Sequence, residues 1–209
     1  FIGILSELVP SGILPQMTQG LGIEDTQVGF LVGIYALASA IFAIPLISMT
    51  LAVNRKTLLL ILLAGFALSN IVVGMSSSYY LIVAMRILGG ICAGIMWPMI
   101  AAYGAALVTE ELQGRAITII MAGNTFGVSL GLPFMTYIGT HLGWRTEFIL
   151  LGALSALIAL VAAKFLPSVP GEKLTQSNSP IAMLKIPQVW IVLVLTFLSV
   201  VAHYSTYTY

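Results

Sequence analysis

Long apolar runs separated by short polar segments dominate the chain. Runs long enough for a membrane-spanning helix cover about 1–19, 28–49, 57–75, 81–108, 116–140, 146–166 and 188–209. A helix needs about 20 mostly apolar residues to cross a bilayer, whereas a barrel strand needs about 10 residues of alternating polarity. The pattern therefore predicts an all-α integral membrane protein with seven spans.

The spacing of the runs predicts three segments. Six spans form a transmembrane bundle over 1–166, a polar linker occupies 167–187, and a seventh span follows over 188–209. Pro45 and Pro133 each precede a tight loop with basic residues, which indicates that the first three spans and the next three are inverted repeats. Because the chain starts without Met and stops as the seventh span reaches spanning length, we expect a fragment of a longer protein.

Composition supports the membrane assignment and narrows the chemistry. The chain is 59% apolar and 7% charged, and its net charge of +1 offers nucleic acid no basic surface. The single cysteine excludes an internal disulfide. No motif for hydrolysis, nucleotide binding or metal binding occurs, and His141 and His203 are far apart, so we expect no enzyme activity, no metal and no cofactor.

Basic residues in the loops predict the orientation. One side of the predicted topology carries most of them, whereas only Arg145 lies on the other. The basic side is predicted to be cytoplasmic, together with the 167–187 linker. The basic residues on this cytoplasmic side are Arg55, Lys56, Arg115, Lys164, Lys173 and Lys185.

Glu7 is the carboxylate of the first apolar run and has no charged neighbour in sequence. An ionised carboxylate is costly in hydrocarbon, so Glu7 is expected to be protonated, paired or in contact with water. One interpretation is a reversible proton carrier, and the other is a helix-end carboxylate that reaches solvent beside Ser6. The rarity of ionisable residues within spans favours the proton carrier.

Arg86 lies near the start of the fourth span, in LIVAMRILGGICAGIMWP, and stays cationic at any working pH. Arg86, Gly90 and Gly94 share a helix face because they recur every four residues. The glycines allow a neighbouring helix to approach while the guanidinium reaches across. Two roles remain open: proton coupling, and a structural contact that ties two helices together through backbone carbonyls.

The fifth span has its own stripe of glycines at four-residue spacing. Gly123, Gly127 and Gly131 form the stripe, and Pro133 follows two residues later. This pattern predicts a closely packed helix with a kink. Taken alone, the stripe indicates packing rather than activity.

Several of these stretches resemble the major facilitator superfamily, and within it the proton-coupled drug and sugar efflux group that includes arabinose-efflux permeases. SELVPSGILP resembles the first-helix signature with its embedded Glu, here Glu7. RILGGICAG resembles the fourth-helix motif, in which Arg86 is the coupling residue and Gly90 and Gly94 lie behind it. GVSLGLPFMTYIGTHLGWR resembles the fifth-helix antiporter motif, which would include Gly127, Gly131 and Pro133.

Two further stretches carry the resemblance less fully. YSTYTY resembles the start of the seventh-helix signature and places Tyr207 near the cavity, although an interfacial aromatic belt is the alternative. The loop after the second span keeps the basic pair Arg55 and Lys56 of the family's cytoplasmic loop. It departs from that motif at the positions of a Gly, an Asp and an Arg, which here are Ile47, Leu51 and Ala52.

The resemblance implies a secondary transporter of two bundles in the bacterial inner membrane, which exports a drug or sugar-like molecule in exchange for protons. Glu7 and Arg86 would couple protons. The expected partners are the substrate, protons, the lipid bilayer and the missing C-terminal half of the chain. The substrate cavity is expected to include Ser11, Tyr35, Asn124 and Tyr207.

Other functions fit the same sequence. A proton-linked importer or a uniporter could use the same fold, because the spans do not encode a direction. A membrane sensor or scaffold that transports nothing is a further alternative, in which Glu7 and Arg86 only lock helices together.

Overall fold

The structure, a computed structural model, describes residues 1–172 and 186–208, the last with side chains as far as 199. Nine α-helices lie in these ranges. They are α1 (Ile2–Gly12), α2 (Leu14–Leu21), α3 (Asp25–Thr50), α4 (Arg55–Met75), α5 (Tyr79–Ala106), α6 (Gln113–Phe126), α7 (Leu132–Leu142), α8 (Trp144–Phe165) and α9 (Pro187–Thr208). A 3-10 helix, Glu110–Leu112, precedes α6, and a π-helix, Gly127–Gly131, joins α6 to α7.

The prediction of an all-α membrane protein is confirmed. No strand occurs among the residues that the structure describes. Five helical stretches are long and apolar enough to cross a membrane, and they correspond to the second to sixth predicted spans. These stretches are Asp25–Thr50, Arg55–Met75, Tyr79–Ala106, Glu110–Leu142 and Trp144–Phe165.

The first predicted span, 1–19, consists of two helices rather than one continuous helix. Ile13 leaves the helical region, with φ −127° and ψ 26°, and separates α1 from α2. Pro15 explains the break, because it has no N–H to donate to the Ser11 carbonyl and its ring would clash with that carbonyl in a continuous helix.

The chain forms two compact units, Phe1–Gly171 and Glu172–Tyr209. The first unit contains α1 to α8, and the second contains α9. Most of the predicted linker, 173–185, lies outside the described residues. The predicted boundaries at 166 and 187 stay predictions.

Glycines bring the helices of the first unit close together. A Cβ added to Gly90 of α5 would collide with the main chain of Tyr35 in α3, and one added to Gly94 would collide with the main chain of Ser39. Gly152 of α8 meets the α4 backbone in the same way. Apolar side chains within lipid are already out of water, so the hydrophobic effect does not drive the helices together. Helix association therefore depends on close van der Waals packing of this kind.

Buried apolar side chains of the first unit form two clusters, one towards each end of the bundle. The first cluster includes Leu31 and Phe148, and the second includes Tyr35, Phe66 and Tyr103. Leu31 and Tyr35 are one helical turn apart on α3. A polar residue of α5 that reaches this turn therefore lies where the two clusters meet.

The fifth span contains a π-helix directly before its proline. Pro133 lies in the first turn of α7, immediately after Gly127–Gly131. Proline cannot donate to the carbonyl four residues earlier and clashes with it in a regular helix, and a wider turn before the proline relieves both problems. An irregular turn at this position therefore fits the sequence, whereas its π-helical form does not follow from it, and the predicted kink stays a prediction.

The chain after α8 returns to the loop between α3 and α4. Residues 167–171, which we term the linker contact, make three hydrogen bonds at this end of the bundle. They join the Arg55 N–H to the Val169 carbonyl (2.9 Å), the Asn54 amide to the Ser168 hydroxyl (2.7 Å) and the Tyr103 hydroxyl to the Pro167 carbonyl (2.6 Å). Gly171 completes the contact, because an added Cβ there would collide with the main chain of 51–53.

We predict that Gly90→Ala destabilises the protein by about 1–3 kcal/mol, because the new methyl group needs space that the main chain of α3 occupies. Gly33→Ala on α3 is the matched control, since an added Cβ there meets no atom within 4 Å. Thermal unfolding in detergent, followed by circular dichroism, measures both variants. Equal unfolding temperatures for the two would contradict the packing described above.

Candidate functional site

Arg86 of α5 is buried and donates hydrogen bonds to three main-chain carbonyls. Its Nε donates to Leu31 of α3 (3.1 Å), its Nη1 to Ser6 of α1, and its Nη2 to Glu7 of α1 (3.1 Å). Only 1% of the residue is exposed. A single guanidinium thus joins three helices.

Pro10 explains why α1 offers Arg86 an acceptor. In a regular helix, the Ser6 carbonyl would accept the N–H of the residue four positions later. That residue is Pro10, which lies inside α1 and has no N–H. The Ser6 carbonyl is therefore left without its helical donor, and Arg86 supplies one.

Tyr35 completes the surroundings of the guanidinium. The Arg86 Cζ lies 4.2 Å from the centre of the Tyr35 ring, which places the cation over the aromatic face. The Tyr35 hydroxyl donates to the Gly3 carbonyl at 3.4 Å. Carbonyl dipoles and the ring, rather than a carboxylate hydrogen bond, therefore stabilise this buried charge.

A second polar link joins α1 to α4 beside the arginine. The Ser6 hydroxyl donates to Asn70 Oδ1 at 3.1 Å, and the Asn70 amide donates to the Phe66 carbonyl at 2.9 Å. Ser6 and Asn70 are both buried. Together with Arg86, this link fixes the middle of α1 against three neighbouring helices.

Glu7 is half-buried on α1 and approaches Arg86 through its main chain. Its carboxylate makes no hydrogen bond within the described part of the chain, whereas its carbonyl accepts from the guanidinium. The neighbouring Ser6 hydroxyl bonds to Asn70. The proton-coupling roles of Glu7 and Arg86 stay predictions.

The four predicted cavity residues occupy different environments. Ser11 is exposed and its hydroxyl donates to the Leu8 carbonyl within α1. Tyr35 is buried under Arg86, and Asn124 is half-buried with an Oδ1 that has no partner among the described residues. Tyr207 belongs to α9, but its side chain lies outside the described residues. Their roles in substrate binding stay predictions.

An apolar cavity of about 60 Å³ adjoins the arginine cluster. Its lining includes Gly3 and Phe66, whose carbonyls accept from Tyr35 and Asn70. Trp97 and Ile120 lie on its other walls. The cavity therefore lies between apolar walls and this polar cluster, and its volume is far below the roughly 300–1,000 Å³ of a small-molecule site.

The glycines of the fifth span pack on α1. An added Cβ on Gly127 would meet Ile4, and one on Gly131 would meet Leu5. Both glycines lie in the π-helix that precedes Pro133. The irregular turn of the fifth span therefore faces the same helix that carries Glu7.

The basic pair of the α3–α4 loop lies at the start of α4. Asn54 caps this helix, since its Oδ1 accepts from the N–H groups of Lys56 (3.0 Å) and Thr57 (3.3 Å). Arg55 is buried there, and its N–H bonds to the linker contact. The loop is thus ordered by backbone and cap hydrogen bonds.

Sequence reasoning missed Glu147, a buried carboxylate in the first turn of α8. It is 0% exposed, and neither of its oxygens has a hydrogen-bond partner among the described residues. An acidic residue in the first turn of a helix is an ordinary feature, which hid it in the sequence. Its position directly before the apolar Phe148, which is buried, was the one sequence feature that could have indicated its burial.

Metal-binding groups do not gather in the described residues. No three His, Cys, Asp or Glu side chains lie close enough together there to hold an ion. His141 is exposed on α7 and stacks on Tyr137, with 4.1 Å between the ring centres.

The helices and their buried polar cluster define a multi-pass membrane protein. The family model of the Major Facilitator Superfamily matches residues 1–209, so the chain belongs to this superfamily. The protein is accordingly a membrane transporter.

We predict that Arg86→Lys lowers the free energy of unfolding. The lysine ammonium is a compact charge on a shorter side chain and cannot donate to all three carbonyls that the planar guanidinium contacts. Each lost hydrogen bond to a charged group is worth about 1.5–3 kcal/mol. Arg115→Lys is the matched control, since Arg115 is exposed on α6. A fall in the unfolding temperature for the first variant alone is expected, and equal values for both would contradict this geometry.

Proposed function

We propose that the protein is a proton-coupled exporter of the drug and sugar efflux group, located in the inner membrane of a bacterium. Glu7 binds and releases the proton in this proposal, and Arg86 makes its ionised form accessible. The rest of the transporter would be a second bundle that begins with α9. Export of a small, drug or sugar-like molecule follows from the resemblance of the first, fourth and fifth spans to that group.

One observation carries the proposal: the Glu7 carboxylate, which has no hydrogen bond to any described residue, lies on the same turn of α1 as carbonyls that bind a buried guanidinium. A nearby positive charge favours the ionised carboxylate, whereas burial favours the protonated acid. The balance between the two changes when water or substrate enters. Such a group can therefore exchange a proton during a transport cycle.

The mechanism follows from this balance. In a closed conformation Glu7 holds a proton, and its neutral side chain is compatible with apolar surroundings. When the cavity opens, water enters, the carboxyl O–H bond breaks and the proton passes to water. Substrate then binds to a cavity with an ionised Glu7. Proton and substrate therefore cannot occupy the cavity together. Because each must leave before the other binds, the protein moves protons and substrate across the membrane in opposite directions.

The contacts of α1 support a link between the site and helix movement. Arg86 bonds to α1 and α3 together, and the glycines Gly127 and Gly131 set the fifth span against α1. A change at Glu7 therefore acts on helices that have little freedom to move separately.

A scaffold without transport is the second candidate, and one observation favours it. All three hydrogen bonds of Arg86 go to main-chain carbonyls, as expected for a residue that only holds helices together. In that case the charge of Glu7 has no effect on proton movement.

We predict that Glu7→Gln abolishes substrate-driven proton flux, because the amide cannot exchange a proton while the shape is retained. The measurement uses inverted membrane vesicles that contain the full-length protein and a panel of sugars, nucleosides and lipophilic antibiotics. Glu110→Gln is the control, since Glu110 is exposed in the 3-10 helix. We expect wild type and the control to respond equally, and Glu7→Gln to match empty vesicles.

Other outcomes separate the alternatives. Equal flux in Glu7→Gln and wild type would contradict the role of Glu7. Proton movement in the same direction as the substrate would indicate an importer. Substrate movement without protons would indicate a uniporter, and neither movement with any compound would favour the scaffold.

A further inference from the structure

Glu147 lies in a sealed site at the end of the bundle opposite the α3–α4 loop. Its Oε2 packs so closely on Gly139 of α7 that a Cβ added there would overlap it, and the same Cβ would lie 2.6 Å from the Ile13 side chain. The carboxyl group is thus enclosed by α7, by α8 and by the break between α1 and α2. Neither oxygen has a hydrogen-bond partner in the described ranges.

The ionisable groups of the surrounding helices do not pair with this carboxyl group. On α8, Arg145 donates to the Ser76 carbonyl (3.1 Å) and the Ser77 hydroxyl (3.2 Å), with its guanidinium over Trp144. On α7, His141 is exposed and bonds to the Tyr137 carbonyl. Glu7 lies nearly two turns before Ile13 on α1. The sequences of α2 and of the nearby turns of α4 contain no charged residue.

Such surroundings require a neutral side chain. An ionised carboxylate without hydrogen bonds or a counter-ion is very costly in an apolar interior, and such a group takes up a proton instead. The carboxylic acid has one O–H donor and fits a site without a cation. In this conformation, Glu147 therefore carries a proton.

The position of Glu147 also makes release of that proton feasible. The residue is one turn from the start of α8, and the positive end of the helix dipole favours a carboxylate there. Trp144 covers the same end, since it is 5% exposed and its indole Nε1 lies against Gly20 of α2. A small separation of Trp144 from α2 would admit water to the carboxyl group.

We propose that Glu147 is a second proton-binding site of the transporter, which is closed by Trp144 and the Ile13 break and which exchanges its proton when this contact opens. On opening, the carboxyl O–H bond breaks, the proton passes to the entering water, and a hydrated carboxylate remains. The neutral acid stabilises the sealed packing, and the carboxylate stabilises the open one. This inference deepens the proposed function and rests on its proton coupling.

Infrared difference spectroscopy of the full-length protein in lipid tests the site directly. The C=O stretch of a protonated carboxyl group is distinct from the bands of a carboxylate. We expect wild type and Glu7→Gln to show this band at neutral pH and to lose it as the pH rises. Glu147→Gln should lack the component of the band that Glu7→Gln retains, so that only a band of Glu7 remains, whereas Glu110→Gln should keep both components. Glu147→Met provides an apolar variant in case the amide destabilises the fold.

Trp144 gives a second measurement of the same event. Trp97→Phe with Trp190→Phe leaves Trp144 as the single tryptophan of the three in this sequence, and any tryptophan in the rest of the full-length protein is replaced by Phe as well. Its emission should shift to longer wavelength over the pH range in which the infrared band disappears, and Glu147→Met should remove that shift. His141→Asn is the control for titration of the neighbouring histidine and should leave the shift unchanged.

Three outcomes decide against the proposal. A band that survives to the pH of unfolding would make Glu147 a structural acid. Absence of the band in Glu7→Gln, with a sodium-dependent emission of Trp144, would indicate a cation site. An emission shift that depends on His141 would assign the pH response to that residue. If wild type shows no substrate-driven proton flux, the proposed antiport fails, whereas the infrared titration still decides whether Glu147 exchanges a proton.

Discussion

The hydrogen bonds of Arg86 to the main chain of α1 and α3 are the interaction on which the first unit depends. A guanidinium cannot lose its charge and cannot remain unsatisfied within a bilayer, so carbonyl oxygens must converge on it. Pro10 leaves the Ser6 carbonyl available, and Tyr35 provides an aromatic face. The proline in α1 and the polar residues around Arg86 therefore act together to provide acceptors for the buried guanidinium.

Close packing by glycine makes these short polar contacts reachable. Arg86, Gly90 and Gly94 lie along one face of α5, and the two glycines meet the backbone of α3. A bulkier face would move α3 away and would lengthen the bond to the Leu31 carbonyl. Packing and electrostatics are thus coupled, because the distance between two helix backbones determines whether a buried cation is satisfied.

Sequence patterns predicted the spans and the glycine faces well, because both depend on local composition and periodicity. The apolar run over 1–19 does not reveal the break at Ile13, for which Pro15 is the local signal. The partners of Arg86 come from distant helices and have no local pattern. Glu147 was missed for a related reason, since only the packing of α7 and Ile13 separates a buried acid from an ordinary acidic helix start.

The linker contact has a mechanical consequence. Five residues after α8, 167–171, are held against the α3–α4 loop by the hydrogen bonds of Asn54, Arg55 and Tyr103. A free chain of that length could extend by about 17 Å, at roughly 3.3–3.6 Å per residue. The chain that continues beyond α8 is therefore held as far as Gly171. Release of these five residues would lengthen the chain that can extend from the end of α8 by that distance, with no change in sequence.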